Sequence, residues 1–203
     1  KMLAPDTAPA ERAALIKNFK ATRLSIPTVE AKNDEMTATA RDIVLDRVDA
    51  GKFDKFVVAG AEAVGGDDLR LKANALTVEG GDFSTVATAL IAGDPSRFGA
   101  RARLMKFDGL TATIRETGPK DKAGLVDVSL AGVRSNSTIE GDVTRSSTFA
   151  VDHLVVAPQK GGKLHRDLAA FGYERLDLGV KGVANYDPAT KALIVENLTF
   201  DGV

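Results

Sequence analysis

The chain holds two histidines, His153 and His165, and no cysteine. Thiolate nucleophiles, disulfides, iron–sulfur clusters and cysteine-ligated zinc are therefore excluded at once. His165-Arg166-Asp167-Leu168 has the order of a protein-kinase catalytic loop, but Gly172 stands where the metal-binding Asn belongs. The chain has no glycine-rich phosphate loop, and Phe107-Asp108-Gly109 runs in the wrong order for the metal-binding tripeptide. His165 is thus expected to be a surface or capping residue of a short helix. His153, beside Leu154 and Val155 with no second imidazole nearby, is expected to be structural. Asp42, Asp46 and Asp49 would gather only on a helix; on a strand Asp42 and Asp46 share a face and Asp49 falls into a turn. Their oxygen density is below that of a calcium loop. Gly65-Gly66-Asp67-Asp68 contains the letters of a polymerase tripeptide at a place where Gly and Asp are expected as turn residues. There is no Gly-x-Ser-x-Gly elbow. No carboxylate pair is flanked by the aromatic platforms that sugar chemistry uses. Asn136-Ser137-Thr138 and Asn197-Leu198-Thr199 match a glycosylation sequon, which matters only in a eukaryotic secretory setting. The expectation is of no catalytic residue, no metal and no cofactor. An enzyme would require convergent polar groups that spacing does not reveal.

The 203 residues carry 27 Lys plus Arg against 28 Asp plus Glu, a net charge of -1. No local cationic run stands out, so a nucleic-acid partner is not expected. Hydrophobic residues make up 44% and charged ones 27%, which fits a folded chain rather than a disordered one. No apolar run approaches the ~20 residues of a membrane-spanning helix. No signal peptide is visible at the start, and both ends read as cuts, so a leader or membrane anchor is expected to be absent from this chain.

The elements that would position any site are mostly strands. An apolar stripe through Ala13, Leu15, Ile16 and Phe19 after Pro9 predicts an N-terminal helix laid on a sheet. Residues 24–31 alternate, with Leu24, Ile26, Thr28 and Glu30 opposed to Ser25, Pro27, Val29 and Ala31, and Pro27 makes this an edge or irregular strand. Strands are predicted at 36–48 and 53–64, and at 69–75 with Leu69, Leu71, Ala73 and Ala75 on one face. Further strands are predicted at 104–116, 125–134, 137–144 and 148–157. Short helices are predicted at 83–92, capped by Asp82, and at 164–171, closed by Gly172. The clearest hairpin comes last, where Leu176, Leu178, Val180 and Ala184 alternate with polar residues. The turn Tyr186-Asp187-Pro188-Ala189-Thr190-Lys191 then leads to a return strand at 193–200.

Residues 60–81 align without a gap on residues 182–203. Gly60 matches Gly182, Leu71 matches Leu193, Leu76 matches Leu198, Thr77 matches Thr199 and Gly80 matches Gly202. The fold class predicted is therefore mostly β (α+β): an extended antiparallel sheet of repeated hairpins, with an N-terminal helix and two short helices packed on it. Residues 1–203 are read as a single repetitive domain with similar hairpin units near 53–81 and 175–203. Small side chains dominate the apolar side, which leaves room on a face that must be covered by helices, a second sheet or a ligand.

Phe171-Gly172-Tyr173-Glu174-Arg175-Leu176-Asp177-Leu178, the Tyr186-Asp187-Pro188 turn and residues 193–199 together resemble segments of AsmA- and YdgA-type bacterial envelope proteins. The resemblance covers about a third of the chain, lies in scaffold positions and transfers no functional residue. It implies a periplasmic protein with an elongated sheet that carries or shields lipid. The expected ligand face is lined by Phe56, Val58, Leu71, Leu76, Val78, Leu176, Leu178, Val180, Leu193, Leu198 and Phe200. The expected partners are a lipid or other hydrophobic ligand, or an envelope protein docking on an edge strand. The alternative is a structural or protein-interaction module whose core is filled by its own side chains.

Overall fold

The structure is a computed structural model that describes residues 18–66, 69–82, 101–116, 124–140, 143–187 and 189–202. The strands are β1 (Lys20–Lys32), β2 (Thr37–Asp49), β3 (Lys52–Gly65), β4 (Leu69–Ala73) and β5 (Leu76–Asp82). They continue as β6 (Arg101–Arg115), β7 (Leu125–Glu140), β8 (Val143–Pro158), β9 (Leu176–Asp187) and β10 (Ala192–Gly202). All pair antiparallel in one 10-stranded sheet in chain order, with β4 and β5 end to end in the lane between β3 and β6. One helix, α1 (Lys163–Ala170), connects β8 to β9.

Each strand would show period-2 alternation if it were regular. Instead the apolar positions step by two and then by three. β1 carries Ala21, Leu24, Ile26, Val29 and Ala31; β2 carries Ala38, Ala40, Ile43, Leu45 and Val48; β3 carries Phe53, Phe56, Val58, Ala61 and Ala63. Every three-residue step encloses a dipeptide where the ladder is interrupted. The first line of interruptions runs through Arg41-Asp42, Ala59-Gly60, Asn74-Ala75, Asp108-Gly109, Ala131-Gly132 and Asp152-His153. The second runs through Asp46-Arg47, Asp54-Lys55 and Glu79-Gly80. Left-handed φ values fall at these places: Asp42 at 50°, Gly132 at 65°, Arg47 at 48° and Gly80 at 59°. Such a residue breaks the pleat and brings the next side chain out on the same side as the one before. Phe53 and Phe56 demonstrate the reset: three residues apart, they meet edge to face with ring centroids 6.2 Å apart.

Because the interruptions line up between neighbours, one face stays apolar throughout. Ile26 pairs with Ile43, Ile43 with Val58, Val58 with Leu76, Leu76 with Phe107 and Phe107 with Val133. On the far side Val151 pairs with Val180 and Val180 with Phe200. A parallel row runs Leu24, Leu45, Phe56, Val78, Met105, Ser135, Phe149 and Gly182.

Several expectations need correction. Val29 and Ala31 share the face of Leu24 and Ile26 rather than opposing it, because the phase resets after Ile26. Ala75 leaves the face of Ala73 for the same reason, and Leu76 replaces it. Residues 125–134 and 137–144 are not two strands: β7 runs unbroken to Glu140 and β8 begins at Val143. Of the three expected helices, the one near 164–171 is found as α1, followed by Gly172 at φ 84°. It is the one complete helix among the described residues; the expected helix at 83–92 and the stripe from Ala13 to Ile16 lie outside them. The hairpins within 60–81 and 182–203 differ in register. Ala61 pairs with Ala73, but Val183, the counterpart of Ala61, pairs with Glu196, one residue beyond the counterpart of Ala73. The later turn is one residue longer. The interruptions also differ by one residue: Asn74 and Ala75 are unpaired in the first hairpin, whereas Asn197 and Leu198, the counterparts of Ala75 and Leu76, are unpaired in the second, with Asn197 at φ 52°.

Among the described residues, Phe53 is one of four buried apolar residues, with Val48, Val126 and Leu168. Its ring lies on the bare backbone of Gly81, its cross-strand partner, where a Cβ would collide with the ring edge. Gly81→Ala should therefore cost about 1–3 kcal/mol, the usual penalty for overpacking. Chemical denaturation would measure it; an unchanged midpoint would mean that the ring does not hold this position.

Candidate functional site

The apolar face is the largest candidate site among the described residues. No position in either apolar row carries a charge; Ser135 is the single hydrogen-bonding side chain there, and its Oγ lies 3.1 Å from Ser147 Oγ. Charges collect on the opposite face and in the interrupted dipeptides, where they pair across strands. Arg23 meets Asp46 at 3.5 Å, Arg41 meets Glu62 at 2.5 Å, Lys55 meets Glu79 at 3.8 Å and Arg134 meets Asp152 at 2.5 Å. A strand pairs every second side chain with the same face, so this segregation follows from the phase pattern alone.

All the residues expected to line a ligand face project from the apolar side. Phe56 and Val78 pair in one row, while Val58, Leu76, Val180 and Phe200 occupy the next. Leu71 and Leu176 lie in a third row with Ala63, Ala112, Val128 and Val156, and Leu178 pairs with Leu154. Leu193 pairs with Tyr186, and Leu198 reaches the backbone of Gly182. They are spread over the sheet rather than gathered in one pocket: adjacent lanes lie ~4.8 Å apart, so nine lanes span about 38 Å. Sequence reasoning missed Ile26, Ile43, Met105, Phe107, Phe149 and Val151 in the same rows. The two-then-three spacing was the signal that would have found them. Exposure is greatest at β10, where Leu193 is 67% and Phe200 73% accessible.

Beside a groove of about 510 Å³ around Arg134, Asp152, His153, Lys181 and Asp201, the polar side offers one of about 600 Å³, lined by Glu62, Arg70, Lys72, Thr111, Thr113 and Asp127 among others. Its carboxylates are engaged: Glu62 by Arg41, and Asp127 by the Thr113 hydroxyl at 2.7 Å and the Gln159 amide at 3.2 Å. No group of three or more metal-ligating side chains occurs among the described residues. Asp46 and Asp49 are tied to Arg23 and Lys20, and Asp42 stands apart in its interrupted dipeptide. His153 Nδ1 lies 3.0 Å from Asp177 Oδ1 on the exposed polar side, and His165 lies on α1. Asp67 and Asp68 are outside the described residues.

One polar group ties the start of α1 to the end of β6. α1 starts at Gly162 with no capping side chain and no acid in its first turn. Glu116, just beyond β6, supplies the missing acceptor. It takes the backbone N–H groups of Leu164 at 2.9 Å, Lys163 at 2.8 Å and Gly124 at 3.1 Å. Free N–H groups at a helix start favour an anion. These bonds, that of Leu164 foremost, hold the Glu116 carboxyl below its ordinary 4.5. No sequence motif announces this contact, because strand and helix are 48 residues apart.

Compared with known protein families, with curated proteins and with solved structures, the chain matches none. No helix among the described residues is long and apolar enough to cross a membrane.

A carboxyl with a depressed folded pKa contributes stability that is complete above its unfolded value and is lost as the pH falls through the folded value. Glu116→Gln should lower the thermal midpoint at pH 7, and the gap to the parent should close as the pH drops below 4.5. Melts followed by circular dichroism between neutral and acid pH would show this; parallel curves for the two proteins would refute it.

Proposed function

We propose that this chain is a non-enzymatic protein of the bacterial envelope that binds or shields a lipid or other hydrophobic ligand on the apolar face of its sheet. The single observation that carries this reading is an uncharged face continuous over nine lanes, with few of its side chains buried among the described residues. Burying a methylene contributes ~0.8 kcal/mol, so a dozen methylenes laid on such a face contribute about 10 kcal/mol before ordering costs. Side chains without charge or strong donors select for acyl chains rather than for polar metabolites. A periplasmic setting rests on the resemblance to AsmA- and YdgA-type proteins.

A second reading is a structural or interaction module of the envelope, favoured by the exposed edge strand β10. There the apolar face would be filled by polypeptide and not by lipid.

Mass spectrometry of an organic extract of the native protein separates the two. A co-purifying amphiphile is expected, and its absence from repeated preparations would remove the lipid reading. Val180→Trp, in the middle of an apolar row, should abolish lipid retention while leaving the thermal midpoint within a few degrees. Equal loss of both would assign Val180 to packing instead.

A further inference from the structure

We infer that Ser135, Ser137 and Ser147 form the polar end of the proposed ligand face and receive the ester carbonyl of a neutral acyl lipid. The inference rests on the lipid reading of that face and names the class of lipid it takes.

The three serines stand together on the apolar side. Ser135 belongs to the row of Met105 and Phe149, its partners on β6 and β8. The β7–β8 register is unbroken from Arg134 with Ala150 to Thr138 with Ser146, and no residue of that stretch has a left-handed φ. Regular pleating therefore puts Ser137 on the side of Ser135, and Ser147 on the side of Phe149. The hydroxyls meet: Ser147 Oγ lies 3.1 Å from Ser135 Oγ and 3.1 Å from Ser137 Oγ. All three residues are half-buried, and Ser147 pairs with Ala184 on its other side.

The cluster is one acceptor short. Three hydroxyls carry three protons, and the two bonds among them use two, whichever serine donates between Ser135 and Ser147. The third proton has no acceptor among the described residues. A donor covered by hydrocarbon with no partner keeps its full desolvation cost, so an occupant of this face gains by bringing an acceptor to this place. An uncharged acceptor fits best. Neither apolar row holds a cation, and Arg145, two residues before Ser147 on β8, is held by the Glu140 carboxylate at 2.8 Å. A phosphate or carboxylate covered here would lose its hydration with no counter-charge. An ester carbonyl accepts without charge and brings no proton of its own. From the cluster the apolar positions of β7 and β8 continue through Val133, then Leu130 with Leu154, then Val128 with Val156. At ~3.3 Å per residue, Ser135 to Val128 spans about 23 Å, a lane for one extended acyl chain.

The test offers three probes to the full chain: monooleoylglycerol, the corresponding oleyl glycerol ether, and ionised oleate. The ether keeps the chain and the glycerol hydroxyls and lacks only the carbonyl. Monooleoylglycerol should bind about 2- to 10-fold more tightly than the ether, the range of one net hydrogen bond, and more tightly than oleate. Its carbonyl stretch, followed by infrared spectroscopy with a carbon-13 label, should move to lower frequency on binding. Ser135→Ala/Ser137→Ala/Ser147→Ala, with an unchanged circular dichroism spectrum, should level ester and ether while keeping the affinity for the ether. The parent chain's ester-to-ether ratio and the carbonyl band test the inference without any variant. Equal binding of ester and ether, tighter binding of oleate, an unshifted band, or an ester preference that survives the triple variant would each overturn the inference and leave the lipid reading standing. A parent chain that binds none of the three probes would overturn both.

Discussion

The structure depends on keeping side chains of one kind on one side of a very wide sheet. In a regular strand that task needs strict alternation; here each strand is interrupted, and the phase is restored by a step of three in the apolar pattern. The restoration works only if neighbours interrupt at the same height. Were Asp42 displaced by one residue relative to Ala59 and Gly60, every side chain of β2 beyond that point would change sides. The left-handed conformations at Asp42 and Arg47 cost roughly 1–2 kcal/mol each for a residue with a Cβ. They persist because the ladders on either side fix them. The two lines of interruptions therefore act as shared features of the sheet rather than as local defects, and aligned bulges bend all the strands they cross together.

Stability must come from the same face. The ion pairs on the opposite side are exposed, and pairs of that kind contribute 0–1 kcal/mol each. Arg41, for example, is 54% accessible and its partner Glu62 46%. The backbone ladder pairs each interior strand on both sides between the interruptions, but it adds little net free energy, since water competes for the same groups. What remains is cross-strand contact between apolar neighbours such as Ile43 with Val58 and Leu76 with Phe107, worth ~0.2–1 kcal/mol per pair. Three buried apolar residues (Val48, Phe53 and Val126) are few for the described sheet, so the face contributes fully only when something covers it. Complete coverage of a single Val, Leu or Phe adds about 1.5–3 kcal/mol.

The strands, their antiparallel order and the last hairpin were legible in the sequence because apolar runs and turn residues act locally. The turn at Asp187 is an example: its carboxylate accepts the Thr190 hydroxyl and the Ala189 N–H, contacts within three residues that any reader of Asp-Pro turns expects. The side assignment in the early strands was not legible by strict alternation. Val29 was placed opposite Ile26 because period two was applied through Pro27, where the ladder is interrupted. The break expected at Ser135-Asn136 is misplaced because these look like turn residues, yet they pair with Phe149 and Thr148 well inside the ladder. Glu116 was invisible for a different reason: its partners lie on a helix far along the chain, and one carboxylate among many carries no mark until the fold brings them together.

Side-chain size along the face gives it a direction. Between the two lines of interruptions, the rows across β1 to β6 are built from Ile26, Ile43, Val58, Leu76 and Phe107 and from Leu24, Leu45, Phe56, Val78 and Met105. Beyond the first line they become Val29, Ala40, Ala61, Ala73 and Leu110, and then Ala31, Ala38, Ala63, Leu71 and Ala112, so that small side chains gather on β1 to β3. An alanine rises only one carbon above the backbone, whereas leucine or phenylalanine rises several ångströms more. Whatever lies on this half of the sheet must approach the backbone more closely than on the other half, or leave voids that a packed interior does not tolerate. The lanes from β6 to β9 do not share this feature, with Leu110, Leu130, Leu154 and Leu178 paired at the same height. The apolar face is thus deepest where β1 to β3 carry alanine, and a thin, uncharged occupant fits that depression better than a bulky one.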